Sequence, residues 1–284
     1  MRNLFLLVFI VSGTFTYGQS LKTEIDQVYN FKPSKLSKAE QQAKFPVMDK
    51  LFAKIQSDTA KYLPELRGEL IAAGHAPYFY YDGCALLLTL SKSFSDKKLI
   101  AKEIAKADIA DLNPEQYTRL LNQLANEGAD VTVAAMKILE DDKYSFFLPQ
   151  HAFTFTQGYA LTYTLLPQNN TDYVDKLIDA FKRSGPTAQR SIIMTLWFAY
   201  NCKGDALISA AINDQSVKKE VRDFAKDAME HGKLLKQEAE YSKNLSKDDL
   251  EELRTKALQR FSDEAVGELD LTTKVLRSNG GCSQ

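Results

Sequence analysis

Apolar residues recur along this chain at the three- and four-residue spacing of amphipathic helices. Strand signals are scarce, because no Asn-Gly or Asp-Gly turn lies between two alternating apolar runs. Helix start and stop signals recur instead, and they predict an all-α fold. From residue 61 onward we place ten helices, near residues 62–73, 77–91, 96–106, 113–126, 129–140, 151–165, 172–183, 186–200, 204–213 and 216–230.

The region before these helices has weaker periodicity. Ser37 with Glu40 predicts a capping box at a helix start. Pro46 and Pro64 each predict the first turn of a further helix, since proline is tolerated there and interrupts a helix elsewhere. Residues 19–60 are therefore predicted to form a short helical leader.

Two aromatic stretches of the chain resemble each other. HAPYFYYDGCALLLTL at 75–90 aligns with HAFTFTQGYALTYTLL at 151–166 when one residue is gapped. RSIIMTLWFAYN at 190–201 shares the Thr-Leu pair and the apolar character of both. The separation is about twice the period of a two-helix repeat, which predicts stacked helical pairs.

The segment ALISAAINDQSVKKEVRDFAKDAM, residues 206–229, resembles a HEAT-type repeat. The resemblance lies in an apolar helix that ends at Asp214 and in the Val-Arg pair that contains Arg222 on the next helix. It implies a HEAT-like α-solenoid of about five helix pairs over residues 61–230. It also implies that Asp214 and Arg222 are structural residues of the turn and of the stack.

The composition changes after the predicted solenoid. Residues 231–278 are charged and amphipathic, which is typical of a helical pair that covers the end of a repeat array. We expect a C-terminal helical cap there, followed by a flexible tail at 279–284.

The amino terminus has the pattern of a secretory signal peptide. Arg2 precedes an apolar run from Leu4 to Val11, and small or polar residues follow to Gly18. The run is shorter than the ~20 residues that a membrane span needs. We expect residues 1–18 to be removed, and the protein to be soluble in the periplasm or outside the cell.

Charge and cysteine content narrow the classes of partner. The chain has 36 Lys and Arg residues against 37 Asp and Glu residues. This balance gives no reason to expect binding to nucleic acid or to an acidic membrane. Cys84, in an apolar helix pattern, is predicted to be a small buried side chain. A disulfide involving Cys202 or Cys282 is left open, although the fold is not expected to depend on one.

No motif predicts catalysis or metal binding. The chain lacks His-Glu-x-x-His, a cysteine pair with metal spacing, a Gly-x-Ser-x-Gly elbow and a phosphate-binding glycine loop. His75 and His151 occupy equivalent repeat positions, where we expect them to serve helix entry and turns. We therefore predict no catalytic residue, metal or cofactor, while an enzyme site assembled from distant residues stays a lesser alternative.

Aromatic side chains are the remaining candidates for binding. Consecutive residues of a helix point in different directions, so the four rings from Tyr78 to Tyr81 cannot form one flat platform. Most rings should pack between helices, and the others should contact a ligand. The candidate binding residues are Tyr78, Tyr81, Tyr159, Tyr163 and Trp197.

These features favour an exported, non-enzymatic scaffold or adaptor that binds another protein through its solenoid surface, because solenoids expose extended surfaces. The identity of that partner is not encoded in any motif. A carbohydrate-binding accessory protein that binds polysaccharide through exposed rings is the alternative.

Overall fold

The computed structural model of the chain describes residues 20–144, 159–168, 171–260, 262–279 and 282. These residues form helices and turns and contain no strand, which confirms the all-α prediction. The chain divides into two compact units between Ala76 and Pro77. Each unit is described by itself below.

The first unit contains three helices that pack against one another, with a 3₁₀ turn at Pro33–Lys35 between the first two. They are α1 (Leu21–Val28), α2 (Lys38–Ser57) and α3 (Thr59–Ile71). The core residues recur at helical spacing, so each helix has one apolar stripe. They are Leu21, Ile25, Val28, Met48, Leu51, Ile55, Leu66 and Leu70.

Helix α2 begins at the predicted capping box. The Ser37 backbone N–H donates to the Glu40 carboxylate at 2.8 Å, and the Glu40 N–H donates to the Ser37 hydroxyl at 3.4 Å. The helix is 20 residues long and continues through Pro46, which lies inside it. The prediction that Pro46 starts a helix was therefore wrong, as was the same prediction for Pro64, which lies inside α3.

Helices α2 and α3 continue through their prolines because the packing of their buried side chains outweighs the local cost of an interior proline. Such a proline removes one backbone hydrogen bond and costs about 3 kcal/mol. The buried stripe of α2 lies beyond Pro46, at Met48, Leu51 and Ile55, so the helix must continue past the proline to bury it. In α3, Leu66 and Leu70 follow Pro64 in the same way and are fully buried.

The second unit contains twelve helices among its described residues. They are α4 (Pro77–Leu90), α5 (Phe94–Glu103), α6 (Pro114–Asn126), α7 (Thr132–Met136), α8 (Tyr159–Leu165), α9 (Asp172–Phe181), α10 (Pro186–Ala199), α11 (Cys202–Asn213), α12 (Lys219–His231), α13 (Lys236–Ser242), α14 (Lys247–Arg260) and α15 (Asp263–Ser278). Four 3₁₀ turns accompany them, at Ile104–Lys106, Ile109–Asp111, Lys137–Glu140 and Asp142–Tyr144.

The predicted helices agree with these bounds closely. Every predicted end that falls on described residues lies within about three residues of an observed end, once the 3₁₀ turns that continue α5 and α7 are included. The predicted helix at 151–165 is described only from Tyr159 onward.

Helix α10 organises the second unit. It packs against α8, α9, α11, α12 and α15, and every residue from Ser191 to Phe198 is buried. Gly204 permits the close approach of α11, since a Cβ atom there would lie 3.2 Å from the Cβ of Leu196. An apolar helix of this kind is surrounded because it has no polar face to turn to water.

Packing contacts also join distant parts of the second unit. Helix α14 packs against α15 and against α6, and α15 also packs against α10. The Asn122 amide on α6 donates to the Leu258 carbonyl on α14 at 2.9 Å, across 136 residues of sequence. In an ideal solenoid each repeat contacts only its neighbours. The arrangement in five stacked pairs, with residues 231–278 as a cap, stays a prediction.

The turn between α11 and α12 is held by the two residues that the HEAT resemblance singles out. The Asp214 carboxylate accepts hydrogen bonds from the Ser216 backbone N–H at 2.8 Å and the Ser216 hydroxyl at 2.7 Å. These bonds lower the pKa of Asp214. The Arg222 guanidinium donates to the Val217 carbonyl. Both side chains therefore stabilise one local turn.

Three predictions fall on residues outside those described. They are the signal peptide at 1–18, the start of the second aromatic stretch at His151, and most of the tail at 279–284. In the parts of the chain that are described, no helix combines the length and the apolar character needed to cross a membrane.

Candidate functional site

The first helix of the second unit places two tyrosines and one aspartate on a common face. Tyr78, Tyr81 and Asp82 are spaced i, i+3 and i+4 in α4, so their side chains are neighbours on the helix surface. All three are half-buried. The adjacent rings of Phe79 and Tyr80 turn inward and are 2% and 4% exposed. The aromatic run is thus divided between the core and the surface.

A second element brings another carboxylate, that of Asp111, close to this face. Asp111 ends the 3₁₀ turn Ile109–Asp111, and Asp108 caps its start by accepting a hydrogen bond from the Ala110 backbone N–H at 3.1 Å. Both aspartates are half-buried. Asp111 lies close enough to Tyr78 to affect its ionisation. We call Tyr78, Tyr81, Asp82 and Asp111 the Tyr–Asp face.

The loop that carries the two aspartates is fixed through its backbone. The Lys137 ammonium donates to the carbonyls of Ala105 and Ala107 at 2.7 and 2.8 Å. The Lys143 ammonium donates to the Ala110 carbonyl at 2.8 Å. The buried Tyr144 hydroxyl donates to the Ile109 carbonyl at 3.2 Å. Because four carbonyls of one short loop are bound, the aspartates are held in place.

The local electrostatics show how close these groups are. Burial raises the pKa of Tyr78 to about 12, and the carboxylates of Asp82 and Asp111 add to the shift. Burial likewise raises the pKa of Tyr81 to about 12, with contributions from Asp82 and then Tyr78. Negative charge disfavours formation of a phenolate. Both tyrosines are therefore neutral hydrogen-bonding groups in an acidic environment near pH 7.

Two rings that border the Tyr–Asp face each hold a lysine ammonium from the same chain. The Nζ atom of Lys106 lies 5.0 Å from the ring centre of Tyr80, and that of Lys143 lies 5.3 Å from the ring centre of Tyr144. Such distances are typical of cation–π contacts. Lys106 also forms an ion pair with Glu103 at 2.6 Å.

The other three predicted binding residues lie in the core. Tyr159 and Tyr163 are fully buried in α8, and Trp197 in α10 is 1% exposed. The Tyr159 ring packs against Phe198, with centroids 6.0 Å apart. These rings have no exposed surface in this conformation, so the structure does not bring them together with Tyr78 and Tyr81 on a binding surface. A ligand contact by any of them would require the core to open.

Trp197 instead forms the buried centre of a polar and aromatic assembly, whose other members are buried or half-buried and which we call the Trp197 junction. Its members are Trp197, Tyr200, Cys202, Asp205, His231, Glu238, Asp270, Lys274, Arg277 and Cys282. The Arg277 guanidinium binds both oxygens of Asp205, at 2.8 and 2.9 Å, and donates to the Trp197 carbonyl. It also lies 5.1 Å from the indole ring centre. A cation at the last carbonyls of a helix is favourable, so Arg277 caps α10.

A chain of charged side chains continues from the indole. The His231 ring lies 5.4 Å from Trp197, and its Nε2 atom is 2.8 Å from an oxygen of Asp270. Lys274 is 3.3 Å from Asp270 and 3.0 Å from Glu238. This chain connects α12, α15 and α13. A His–Asp pair also occurs in hydrolases, but there the second ring nitrogen faces a nucleophile. Here the ring packs on Trp197, which favours a structural role.

The disulfide of this junction was not predicted from the sequence. Cys202 at the start of α11 is bonded to Cys282 in the tail, across 80 residues. Cys84 is free and fully buried, as predicted. Burial raises the pKa of the Cys84 thiol, which keeps it in the unreactive neutral form. Three cysteines at wide spacing carry no pairing signal, so only the fold could reveal the bond.

His75 and His231, the two histidines that the structure describes, each pair with carboxylates of the same chain. His75, in the first unit, lies between two carboxylates, with Nδ1 2.7 Å from Asp26 and Nε2 2.7 Å from Glu69. Its side chain is fully buried and joins α1 to α3. Across the described ranges, no group of three or more His, Cys, Asp or Glu side chains is arranged to hold a metal ion.

No protein-family model, no curated protein and no solved structure matches this chain. Any statement about function therefore rests on the side chains themselves.

Proposed function

We propose that this chain is an exported, non-enzymatic adaptor that binds another protein through one face of its helical array, organised as a HEAT-like solenoid. The Tyr–Asp face is the contact surface in this proposal. Tyrosine suits such a role because its ring provides apolar contact area while its hydroxyl tolerates water.

The observation that carries the proposal is the division of the aromatic run in α4. The rings of Phe79 and Tyr80 pack in the core, whereas Tyr78 and Tyr81 are half-buried on one helix face. Their position on a helix, beside a loop fixed at four carbonyls, supports a preformed surface. Preformed surfaces bind with a smaller loss of conformational entropy.

The disulfide supports the export part of the proposal. Such bonds form and persist in oxidising compartments and are rare in the cytosol. The Cys202–Cys282 bond therefore agrees with the signal-peptide pattern at residues 1–18. A periplasmic or extracellular location follows for the proposed adaptor.

Site-specific photo-crosslinking tests the proposal. We would replace Tyr78 or Tyr81 with p-benzoylphenylalanine and irradiate the purified full chain in an extract of the source cell envelope. We expect one protein to be linked at both positions and identified by mass spectrometry. The matched control is the same replacement at Tyr241, which is 63% exposed on α13. Equal labelling at all three positions, or none at 78 and 81, would contradict the proposal.

A carbohydrate-binding accessory protein is the second candidate, and the same face favours it. Sugars stack on tyrosine rings, and carboxylates accept hydrogen bonds from sugar hydroxyls. Native electrophoresis through gels that contain cell-wall polysaccharide separates the two proposals. Retardation that the Tyr78→Ala and Tyr81→Ala variants lose, in a chain that crosslinks to no protein, would replace the adaptor by this candidate.

An enzyme with a site assembled from distant residues is the lesser candidate. His231 with Asp270 is the pair that most resembles general-base machinery. Its contact with Trp197 gives the pair a structural use already.

A further inference from the structure

We propose that Arg254 anchors a binding site for an oxyanion, a carboxylate or a phosphate group, at the carboxyl end of α10. The site lies in the second unit, on helices that carry no residue of the Tyr–Asp face, so it does not depend on the adaptor proposal. Three observations support it, namely the position of Arg254 on α14, its lack of a carboxylate partner, and the excess of positive charge at this helix end.

Arg254 occupies a core position of α14. The helix buries Leu250, Ala257 and Leu258. Arg254 lies four residues after the first of these and three and four residues before the others, so it belongs to the same stripe of the helix. The residue is half-buried, and its Nε atom is fully enclosed. Burial lowers the pKa of Arg254, as expected for a cation removed from water. A buried charge is costly unless a partner compensates it.

The described residues provide Arg254 with one hydrogen-bond acceptor and no carboxylate partner. Its Nη2 atom donates to the Phe198 carbonyl at 2.6 Å, whereas its buried Nε–H has no acceptor. Glu251, one turn earlier on α14, forms an ion pair with Lys247 at 3.6 Å instead. The segments outside the described ranges contain no Asp or Glu. A guanidinium has five N–H donors, so most of those on Arg254 remain for a ligand.

A second arginine at the same helix end shows what a compensated cation looks like. Arg277 donates to the carbonyl of Trp197, the residue before Phe198, and it also binds both oxygens of Asp205. Two consecutive carbonyls of α10 therefore accept from two guanidinium groups, of which only that of Arg277 has a carboxylate. The carboxyl end of a helix carries roughly half a negative charge. Together with Asp205, this partial charge does not balance two cations.

An oxyanion matches the donors that Arg254 has left. The planar guanidinium presents pairs of parallel N–H groups, and such a pair binds two oxygens of one carboxylate or phosphate. The attraction is stronger than at an exposed arginine, because a half-buried cation is less screened by water. Capping of α10 uses one N–H of Arg254, and it accounts neither for the remaining charge nor for the buried Nε–H.

Thermal unfolding in different salts tests the inference on the full chain. Sodium acetate and sodium phosphate are the two probes, and sodium chloride at the same ionic strength is the reference. We expect the melting temperature to rise by roughly 3 to 6 °C at a probe concentration tenfold above its Kd, because an anion that binds only the folded chain stabilises it. A response to acetate identifies a carboxylate as the ligand, and a response to phosphate alone identifies a phosphate group.

Two variants locate the binding. Arg254→Met keeps the apolar length of the side chain and removes its charge, so it should lose the saturable rise. Arg183→Met, which changes an exposed arginine just after α9, should keep it. Phosphate also stabilises folded proteins without binding, because it is excluded from their surface. The measured quantity is therefore the difference in response between the native chain and each variant.

The outcomes decide between a binding site and a cap. An equal response of the native chain and a folded Arg254→Met variant would show that Arg254 only caps α10, and it would overturn the inference. If Arg254→Met does not fold, Arg254→Lys keeps the charge without the planar fork and should weaken the affinity severalfold. Undiminished affinity in that variant would overturn the inference, as would a native chain that shows no saturable response to either probe.

Discussion

The Tyr–Asp face and the Trp197 junction are built from the same kinds of side chain, namely aromatic rings, carboxylates and cations. At the junction the groups bind one another: Arg277 holds Asp205 and the end of α10, and Lys274 holds Asp270 and Glu238. At the face, Tyr78 and Tyr81 remain half-buried beside carboxylates. The difference shows that residue type alone does not identify a binding surface. What differs between the two regions is burial, since Trp197 is 1% exposed whereas Tyr78 and Tyr81 are half-buried.

The largest expected effect is the loss of stability when a ring is removed from the Trp197 junction, compared with removal of a ring from the Tyr–Asp face. Trp197→Ala should lower the free energy of unfolding by about 3 to 5 kcal/mol, because it leaves a cavity between α10, α12 and α15. Tyr78→Ala should lower it less, by about 1 to 2 kcal/mol, since Tyr78 is half-buried whereas Trp197 is 1% exposed. Urea denaturation followed by circular dichroism measures both. Similar losses for the two variants would show that the face also belongs to the core.

Removal of the disulfide should have the next largest effect. Replacing both Cys202 and Cys282 by Ser should cost about 3 kcal/mol, because the bond closes a long loop in the unfolded chain. Dithiothreitol should lower the melting temperature of the native chain to that of the variant and should not affect the variant. If the reductant lowers the melting temperature of the variant by as much as that of the native chain, reduction of the Cys202–Cys282 bond is not the cause of the destabilisation.

Breaking the chain of charged side chains that Lys274 forms with Asp270 and Glu238 should lower the free energy of unfolding by less than removal of the disulfide does. Lys274→Met leaves Asp270 and Glu238 without their shared cation, and we expect a loss of about 2 kcal/mol because Lys274 is 7% exposed. The control is Lys256→Met on α14, whose side chain is 59% exposed and pairs with Glu252. Exposed pairs contribute at most about 1 kcal/mol. Equal losses for the two variants would mean that the junction is more hydrated than its geometry indicates.

The stability contributed by the ion pair of Lys274 and Glu238 depends on pH, and the sign of that dependence follows from the pKa of Glu238. Burial raises the pKa of Glu238, but the Leu235 backbone N–H and the Lys274 ammonium lower it more, so the net pKa is below 4.5. A carboxyl group with a lowered pKa stabilises the fold above its unfolded value, and this contribution is lost as the pH falls through the folded value. Lys274→Met removes this contribution, so we expect the stability difference between the native chain and the variant to shrink as the pH falls, because only the native chain loses the contribution of Glu238. Melting curves between pH 3 and pH 6 measure the difference.

Much of the fold follows from the sequence because helix signals are local. Proline, glycine and capping residues placed the helices of the second unit to within about three residues. The errors at Pro46 and Pro64 arose because buried leucine, isoleucine and methionine residues on the far side of each proline keep the helix continuous. That effect depends on packing partners elsewhere in the chain.

The arrangement of the side chains around the candidate residues was predicted in part, while their role in binding stays a prediction. The helical geometry of α4 correctly implied that Tyr78 to Tyr81 could not form one platform, and two of the four rings are in the core. The carboxylates of Asp108 and Asp111 were missed, because they come from a 3₁₀ turn about 30 residues along the chain. The disulfide and the Arg277 contacts were missed for the same reason, since they join segments more than 70 residues apart.

The smallest expected effect tests the geometry of the face itself. Asp82 contributes to the raised pKa of both Tyr78 and Tyr81, whereas Asp111 contributes to that of Tyr78 alone. Asp82→Asn should therefore lower the pKa of both phenols from about 12 toward 10, and Asp111→Asn should lower only one. Ultraviolet titration near 295 nm detects the phenolate, and Tyr78→Phe in each background assigns the signals.

The raised pKa values of Tyr78 and Tyr81 also affect the stability of the fold at high pH, and this stability is a second measurement of the same interaction. A tyrosine with a raised pKa favours the fold in its neutral form, so its contribution is complete below pH 10 and is lost as the pH rises toward 12. Removing the charge of Asp82 should extend stability slightly at high pH, while the junction, whose carboxylates are bound to cations, should show no such gain from Lys274→Met. If Asp82→Asn shifts the pKa of neither phenol, the carboxylate does not act on the two rings, and the side chains of the Tyr–Asp face are not close enough to interact.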